Sequence, residues 1–168
     1  MNARQVQTLA NYNRWMNERL YAACAPLGED ERKRDRGAFF RSIHGTLNHL
    51  LVADSIWMGR FTGEPYPATS LDQELYGDFE SLRRARVAMD ATIEDWAASL
   101  REGDLAGTLA YTSILNPEPR RYPMWLAVTH FFNHQTHHRG QLTALLSQCG
   151  LDYGVTDLIQ LPGAGDLA

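Results

Sequence analysis

Residues 123–149 read PMWLAVTHFFNHQTHHRGQLTALLSQC, and this stretch decides the fold. Pro123 suits the first turn of a helix, where its missing N–H leaves no bond unmade, and Gly150 suits the cap beyond Cys149. Four of the six histidines of the chain fall within nine residues of this helix: His130, His134, His137 and His138. Each helical residue turns by about 100°, so positions 130, 134, 137, 138 and 141 share an arc of roughly 100°. His134 and His138 lie one turn apart, a separation that lets two imidazoles reach one metal ion from the same face. His130 and His134 have the same spacing, and spacing alone leaves both pairs open. No Glu stands between His134 and His138, so the metalloprotease pattern with a built-in general base is excluded. A single pair of this kind is common on helix faces without a metal. Four imidazoles crowded among aromatic and aliphatic neighbours are different, because buried imidazoles without partners are unfavourable and a shared ion satisfies them together.

Three further segments carry helical periodicity. Residues 6–24 place Leu9, Tyr12, Trp15, Met16, Leu20 and Tyr21 on one side, and Pro26 and Gly28 stop them. A charged stretch to Arg36 reads as a solvated connection. Residues 38–61 are rich in Leu, Ile, Val, Trp and Met, and end at Thr62-Gly63-Glu64-Pro65. Residues 72–100 supply a stripe of Leu75, Phe79, Leu82, Val87, Met89, Ile93 and Trp96. Between Leu105 and Arg121 the period is lost, with Asn116-Pro117 as a breaker, which predicts an irregular loop or a short hairpin. Four long helices with one long crossover predict an all-α protein, an up-down four-helix bundle, in a single domain over residues 1–168.

Charge and composition narrow the function. The formal net charge is −4, and the one basic cluster, Arg32-Lys33-Arg34 with Arg36, is interleaved with Glu29, Asp30, Glu31 and Asp35. A nucleic-acid binder needs a basic face to displace counterions, so that class is excluded. Lys33 is the only lysine, which reads as coding bias. Cys24 and Cys149 match no zinc spacing and make a poor disulfide framework. With no long apolar run and no signal-peptide core, no membrane partner is expected and the expected location is the cytoplasm.

A third metal ligand must come from another helix. Residues 38–61 offer His44 and His49, about 140° apart around the axis. Each shares its face with apolar residues, and periodicity does not choose between them.

The chain resembles the DinB family, the DinB/YfiT-like group of metalloenzyme-like proteins. The resemblance rests on Tyr12-Asn13-Arg14-Trp15 with Asn17-Glu18, on FFRSIHGTLNHLLVADSIWMGRF at residues 39–61, on HFFNHQTHHRGQ at residues 130–141, and on TDLIQLP at residues 156–162. It spans nearly the whole chain. It implies an up-down bundle, commonly a homodimer, and a divalent transition metal held by His49, His134 and His138. Nickel or zinc is the first expectation for the ion, with iron or manganese as alternatives. His130 also fits the pattern, in an expected role orienting a ligand, and Gln141 shares the histidine arc, where it can hydrogen-bond a ligand imidazole. His137 is expected to pack or meet solvent, Asp54 to lie on the helix surface, Trp15 and Trp57 to serve the core, and Arg139 to make a structural ion pair.

Three neutral imidazoles leave a divalent ion at least one open position, the arrangement of catalytic sites. The expected function is metal-dependent chemistry of the hydrolase type on a small-molecule substrate. The alternatives are a transferase that uses a low-molecular-weight thiol, as the resemblance also implies, and a non-catalytic metal-binding protein of a stress response. No carboxylate in the histidine arc stands out as a general base, so the catalytic residues stay open.

Overall fold

The computed structural model describes residues 1–101, 103–113 and 117–167; Glu102, residues 114–116 and Ala168 lie outside these, and with them the Asn116 half of the expected breaker. The protein is mostly helical, with a small two-stranded sheet. Helix α1 (Ala3–Cys24) starts in a capping box, where the Asn2 side chain accepts from the Gln5 backbone and the Gln5 side chain accepts from the Asn2 backbone. The charged connection after Gly28 contains a short helix, α2 (Glu29–Lys33), with three acidic residues in its first turn and basic ones in its last, as the helix dipole favours.

The second long helix, α3 (Ile43–Thr62), begins five residues later than periodicity predicts. Residues 38–42 form a tight turn instead, closed by Arg41 N–H donating to the Ala38 carbonyl (2.8 Å), with Arg41 at φ 65°. Ser42 then caps α3 by accepting from Gly45 N–H at 2.9 Å. A Cβ on Gly45 would collide with the Phe40 carbonyl, so glycine here is what lets the turn sit down on the helix. The third long helix, α4 (Phe79–Ser99), is likewise shorter than the expected 72–100, because the Asp78 side chain caps it by accepting from Ser81 N–H at 2.8 Å. Residues 71–76 instead run across α3, where Asn48 Oδ1 accepts from Leu75 N–H (2.9 Å) and Tyr76 N–H (3.1 Å).

Of the two expectations for residues 105–121, the hairpin is what forms: β1 (Thr108–Thr112) pairs antiparallel with β2 (Pro119–Pro123), Ala110 opposite Arg121. An all-α description is therefore corrected by one small sheet. Pro123 ends β2 and caps α5 (Met124–Gln148) rather than standing in its first turn.

Helix α1 packs on α4 and α5, and α3 packs on the same two. Two apolar clusters result. One centres on Met16, Leu20, Ile43, Leu47, Leu82 and Leu142, the other on Val6, Trp57, Ile93, Val128 and Phe131. Burying each such side chain contributes about 1.5–3 kcal/mol relative to exposing it. Between the clusters, at intermediate positions along each helix, lies a polar layer: Asn13 and Asn17 of α1, Asp54 of α3, Arg86 and Asp90 of α4, and Gln135 and Arg139 of α5, all buried. Asp54 thus belongs to the interior and not to the helix surface. It accepts from Arg86 Nη1 at 2.6 Å and from Gln135 Nε2 at 2.9 Å. Asp90 accepts from Asn13 (3.0 Å) and Asn17 (2.8 Å). Arg139 makes no ion pair among the described residues. It donates to Asn13 Oδ1 and to Thr136 Oγ1, over the ring of Tyr12, and burial pulls its pKa down to about 10.

Among the described residues no helix is long and apolar enough to cross a membrane. Cys24 and Cys149 are both free thiols, and burial pushes Cys24 up to about 12.

Candidate metal centre

Position 49 on α3 and positions 134 and 138 on α5 face one another across the packed pair. Their Nε2 atoms converge: His138 to His134 3.1 Å, His49 to His138 3.2 Å, and His49 to His134 3.4 Å. His49 and His138 are buried and His134 is half-buried.

The second ring nitrogens set the tautomers. His49 Nδ1 lies 2.7 Å from the Leu71 carbonyl, which can only accept, so Nδ1 carries the proton and Nε2 is bare. His138 Nδ1 donates to Gln141 Oε1 at 2.9 Å, with the same result. The bare Nε2 atoms of His49 and His138 therefore face each other inside the protein at 3.2 Å, with no proton between them. The contact of those two lone pairs is repulsive, and a cation between them relieves it. A tetrahedral ion with metal–nitrogen bonds of about 2.0–2.1 Å places its ligand nitrogens about 3.3 Å apart. The observed separations fit that requirement, and the three histidines are a group that could hold a metal ion.

Electrostatics agree with a site built for neutral imidazole. Burial drives His49 down to about 4, against the raising effect of the Leu71 carbonyl. His134 falls to about 3, through burial and the neighbouring histidines. His138 is lowered by burial and partly restored by Gln141. Neutral imidazole is the form that coordinates.

Packing holds the ligands in place. The Phe40 ring stacks on His49 with centroids 3.7 Å apart and planes 15° from parallel, and meets His138 edge-on at 5.5 Å. Phe40 comes from the turn that Gly45 admits, and Leu71 from the segment crossing α3. Neither was visible in the histidine pattern, because both reach the site from irregular backbone with no period of its own.

The remaining sequence candidates separate. Gln141 bridges two histidines, since its Nε2 also donates to His137 Nε2 at 3.2 Å on the exposed side. His44 points elsewhere on α3: it is buried, with Nε2 2.9 Å from the Tyr76 carbonyl. His130 has no hydrogen bond to His134 among the described residues. Its ring lies 6.0 Å from that of His134 and 5.0 Å from that of Trp57. It stands on the wall of a cavity of about 290 Å³ that opens against His49 and His134 and is also lined by Trp57, Arg60, Tyr111 and Ser113. Trp57 is thus a core residue that also forms a cavity wall, while Trp15 only packs against the core. Arg60 was missed in the sequence, where it looked like any helix-terminal arginine.

The family described as DinB family matches residues 1–164. Protein DinB of Bacillus subtilis (strain 168) is 26% identical over 158 residues, covering 89% of this chain and 88% of that protein. The crystal structure of a DinB-like protein from Bacillus cereus ATCC 10987 superposes with a TM-score of 0.59 at 18% identity, over 84% of this chain and 90% of that one; at this identity the likeness concerns the fold.

Proposed function

The chain belongs to the DinB family, and from that premise we propose that it is a metal-dependent enzyme of the hydrolase type, with His49, His134 and His138 holding one divalent transition ion beside a small-molecule cavity. The convergence of three Nε2 atoms within 3.1–3.4 Å carries this reading. The imidazole donors suit zinc or nickel, and tolerate iron or manganese. The helix pairings of α1 and α3 with α4 and α5 support an up-down four-helix bundle as the scaffold, and a family match over 1–164 supports a single domain.

When bound, the ion supplies Lewis-acid polarisation of a substrate oxygen or sulfur. The protein's own residues do the rest. Leu71 and Gln141 hold the Nδ1 protons of two ligands, which fixes the tautomers and aims both rings. Phe40 covers His49 and keeps water from its face. Trp57 and Tyr111 wall the cavity against the triad. His130 lines the cavity, and partial desolvation with the nearby charge of Arg60 lowers its pKa, so that it can accept a proton there as a neutral imidazole. No carboxylate lines this cavity among the described residues, which favours, as a second reading, a low-molecular-weight thiol as the nucleophile, since it loses its proton without a strong base.

Elemental analysis after dialysis against zinc or nickel tests the site. The wild type should hold one ion per chain, and His49→Ala, His134→Ala and His138→Ala should each lose most of it. His44→Ala should keep it. Metal retained by the His49 variant and lost by the His44 variant would sink the assignment. Metal-dependent turnover of ester or thiol substrates separates the two chemistries.

A further inference from the structure

The cavity beside the triad contains a positive charge that no carboxylate among the described residues answers. Arg60 sits half-buried near the end of α3, its guanidinium carbon 4.0 Å from the centroid of the Tyr111 ring and 4.5 Å from that of Trp57. Among the described residues it has neither a carboxylate partner nor a hydrogen bond. The other arginines with little exposure find acceptors: Arg36 and Arg86 pair with carboxylates, and Arg139 donates to Asn13 and Thr136. The described lining of the cavity includes His49, His130 and His134, and Arg60 is its only permanently charged residue, with no acidic residue beside it. Its formal charge is therefore +1, in a chain of net charge −4. Removing a guanidinium from water is unfavourable, and the two aromatic faces offset only part of that cost. They hold the guanidinium carbon close to the cavity wall, and its N–H groups have no acceptor among the described residues.

We propose that this cavity recognises a small substrate by a carboxylate bound to Arg60, with the substrate's reacting group directed at His49, His134 and His138; the identity of that reacting end, though not the carboxylate contact, rests on the metal-centre reading. A guanidinium edge matches a carboxylate with two parallel N–H···O bonds. A carboxylate presents its two oxygens in one plane to that edge, and a single guanidinium suffices to hold it. A volume of about 290 Å³ admits only a small molecule. Trp57 and Tyr111 then pack against the apolar part of the substrate between its two polar ends.

Calorimetric titration of the full chain with hexanoate, hexanamide and hexyl phosphate, with and without zinc, tests the proposal. The first two ligands share a shape and differ in charge. Hexanoate should bind at least tenfold more tightly than hexanamide in both metal states. Arg60→Gln should bring the two within about twofold, and Arg60→Lys should retain part of the difference. Zinc content, measured on the same samples, should be equal in the wild type and Arg60→Gln. Equal binding of hexanoate and hexanamide by the wild type overturns the proposal, whatever the zinc content. So does a preference for hexanoate that survives in Arg60→Gln, since another group would then hold the carboxylate. Hexyl phosphate binding tenfold more tightly than hexanoate replaces the carboxylate with a phosphate and overturns the class. A wild type that takes up no zinc yet prefers hexanoate defeats the metal centre and leaves the Arg60 contact standing. If Arg60→Gln misfolds by circular dichroism, the shift of the Arg60 Nε–H resonance of the wild type on adding hexanoate, and its absence with hexanamide, decides the matter.

Discussion

Two polar clusters are buried in this protein only a few residues apart along the same helices. Asp54 follows His49 by five residues on α3, and Gln135 directly follows His134 on α5. Around Asp54, donors meet acceptors: Arg86 and Gln135 donate to it, Arg86 Nη2 lies 2.9 Å from Asp90, and Asn13 and Asn17 donate to Asp90. Around His49, the bare Nε2 atoms of His49 and His138 meet each other. The first cluster sets each buried charge against an opposite one and ties four helices together, although Arg86 Nε and Gln135 Oε1 find no hydrogen-bond partner among the described residues. The second sets two bare ring nitrogens against each other and holds no charge of opposite sign, the arrangement of a binding site more than of a structural network.

Breaking the charge-paired cluster should have the largest effect. Asp54→Ala leaves Arg86 and Gln135 short of their acceptor, and should destabilise the fold by about 3–5 kcal/mol. Urea denaturation checks this, and a loss under about 1 kcal/mol would mean that the layer is wetter or looser than its distances indicate.

The histidine cluster should behave oppositely. Zinc at a hundred times its dissociation constant should stabilise the wild type by about 2.7 kcal/mol. In His138→Ala that gain should vanish, while the metal-free variant stays folded. Thermal unfolding with and without zinc measures both quantities.

The pH response sharpens the contrast further. Burial holds His49 at about 4 and His134 at about 3, below the ordinary 6.5 of imidazole. As pH falls below 6.5 the unfolded chain therefore takes up protons before the folded one. The stability of metal-free protein should be full above pH 6.5 and decline toward pH 4, by on the order of 2 kcal/mol. Denaturation at pH 7.5 and pH 5 should show the decline in the wild type and a flatter profile in a His49→Ala/His134→Ala double variant. Equal slopes would detach the effect from the triad.

The smallest change concerns the ligand's support. Gln141→Ala removes the acceptor for His138 Nδ1–H, and should weaken zinc binding about tenfold, or about 1.4 kcal/mol. His130→Ala, which lacks that contact, should alter zinc affinity less than Gln141→Ala does. The reverse order by competition with a chromophoric chelator would return His130 to the role of orienting a ligand.

Residues local in sequence were legible where a period carried them. The one-turn spacing of His134 and His138 is a property of any helix, so their shared face needs no tertiary knowledge, and Gln141 follows by the same turn. The helix starts were misplaced for a local reason of a different kind. Apolar residues at 38–42 and 72–78 continue the hydrophobic pattern, yet Ser42 and Asp78 cap the helices and release those segments to cross α3. A hydrophobic residue packs from a loop as well as from a helix, and periodicity alone does not tell the two apart.

Asp54 and Arg60 show where the sequence runs out. Each is a charged residue on an amphipathic helix, and nothing local separates one facing solvent from one facing the interior. Helix spacing placed two imidazoles on one face. Only the packing of α3 against α5 brings His49 to them within 3.4 Å while turning His44 toward the Tyr76 carbonyl. The same packing buries Asp54 against Arg86 and leaves Arg60 facing a cavity that no carboxylate lines among the described residues. The helical period is set by backbone geometry, which every residue of the chain carries with it. The pairing of charges is set by which helices meet and at what rotation, and that is a property of the whole core.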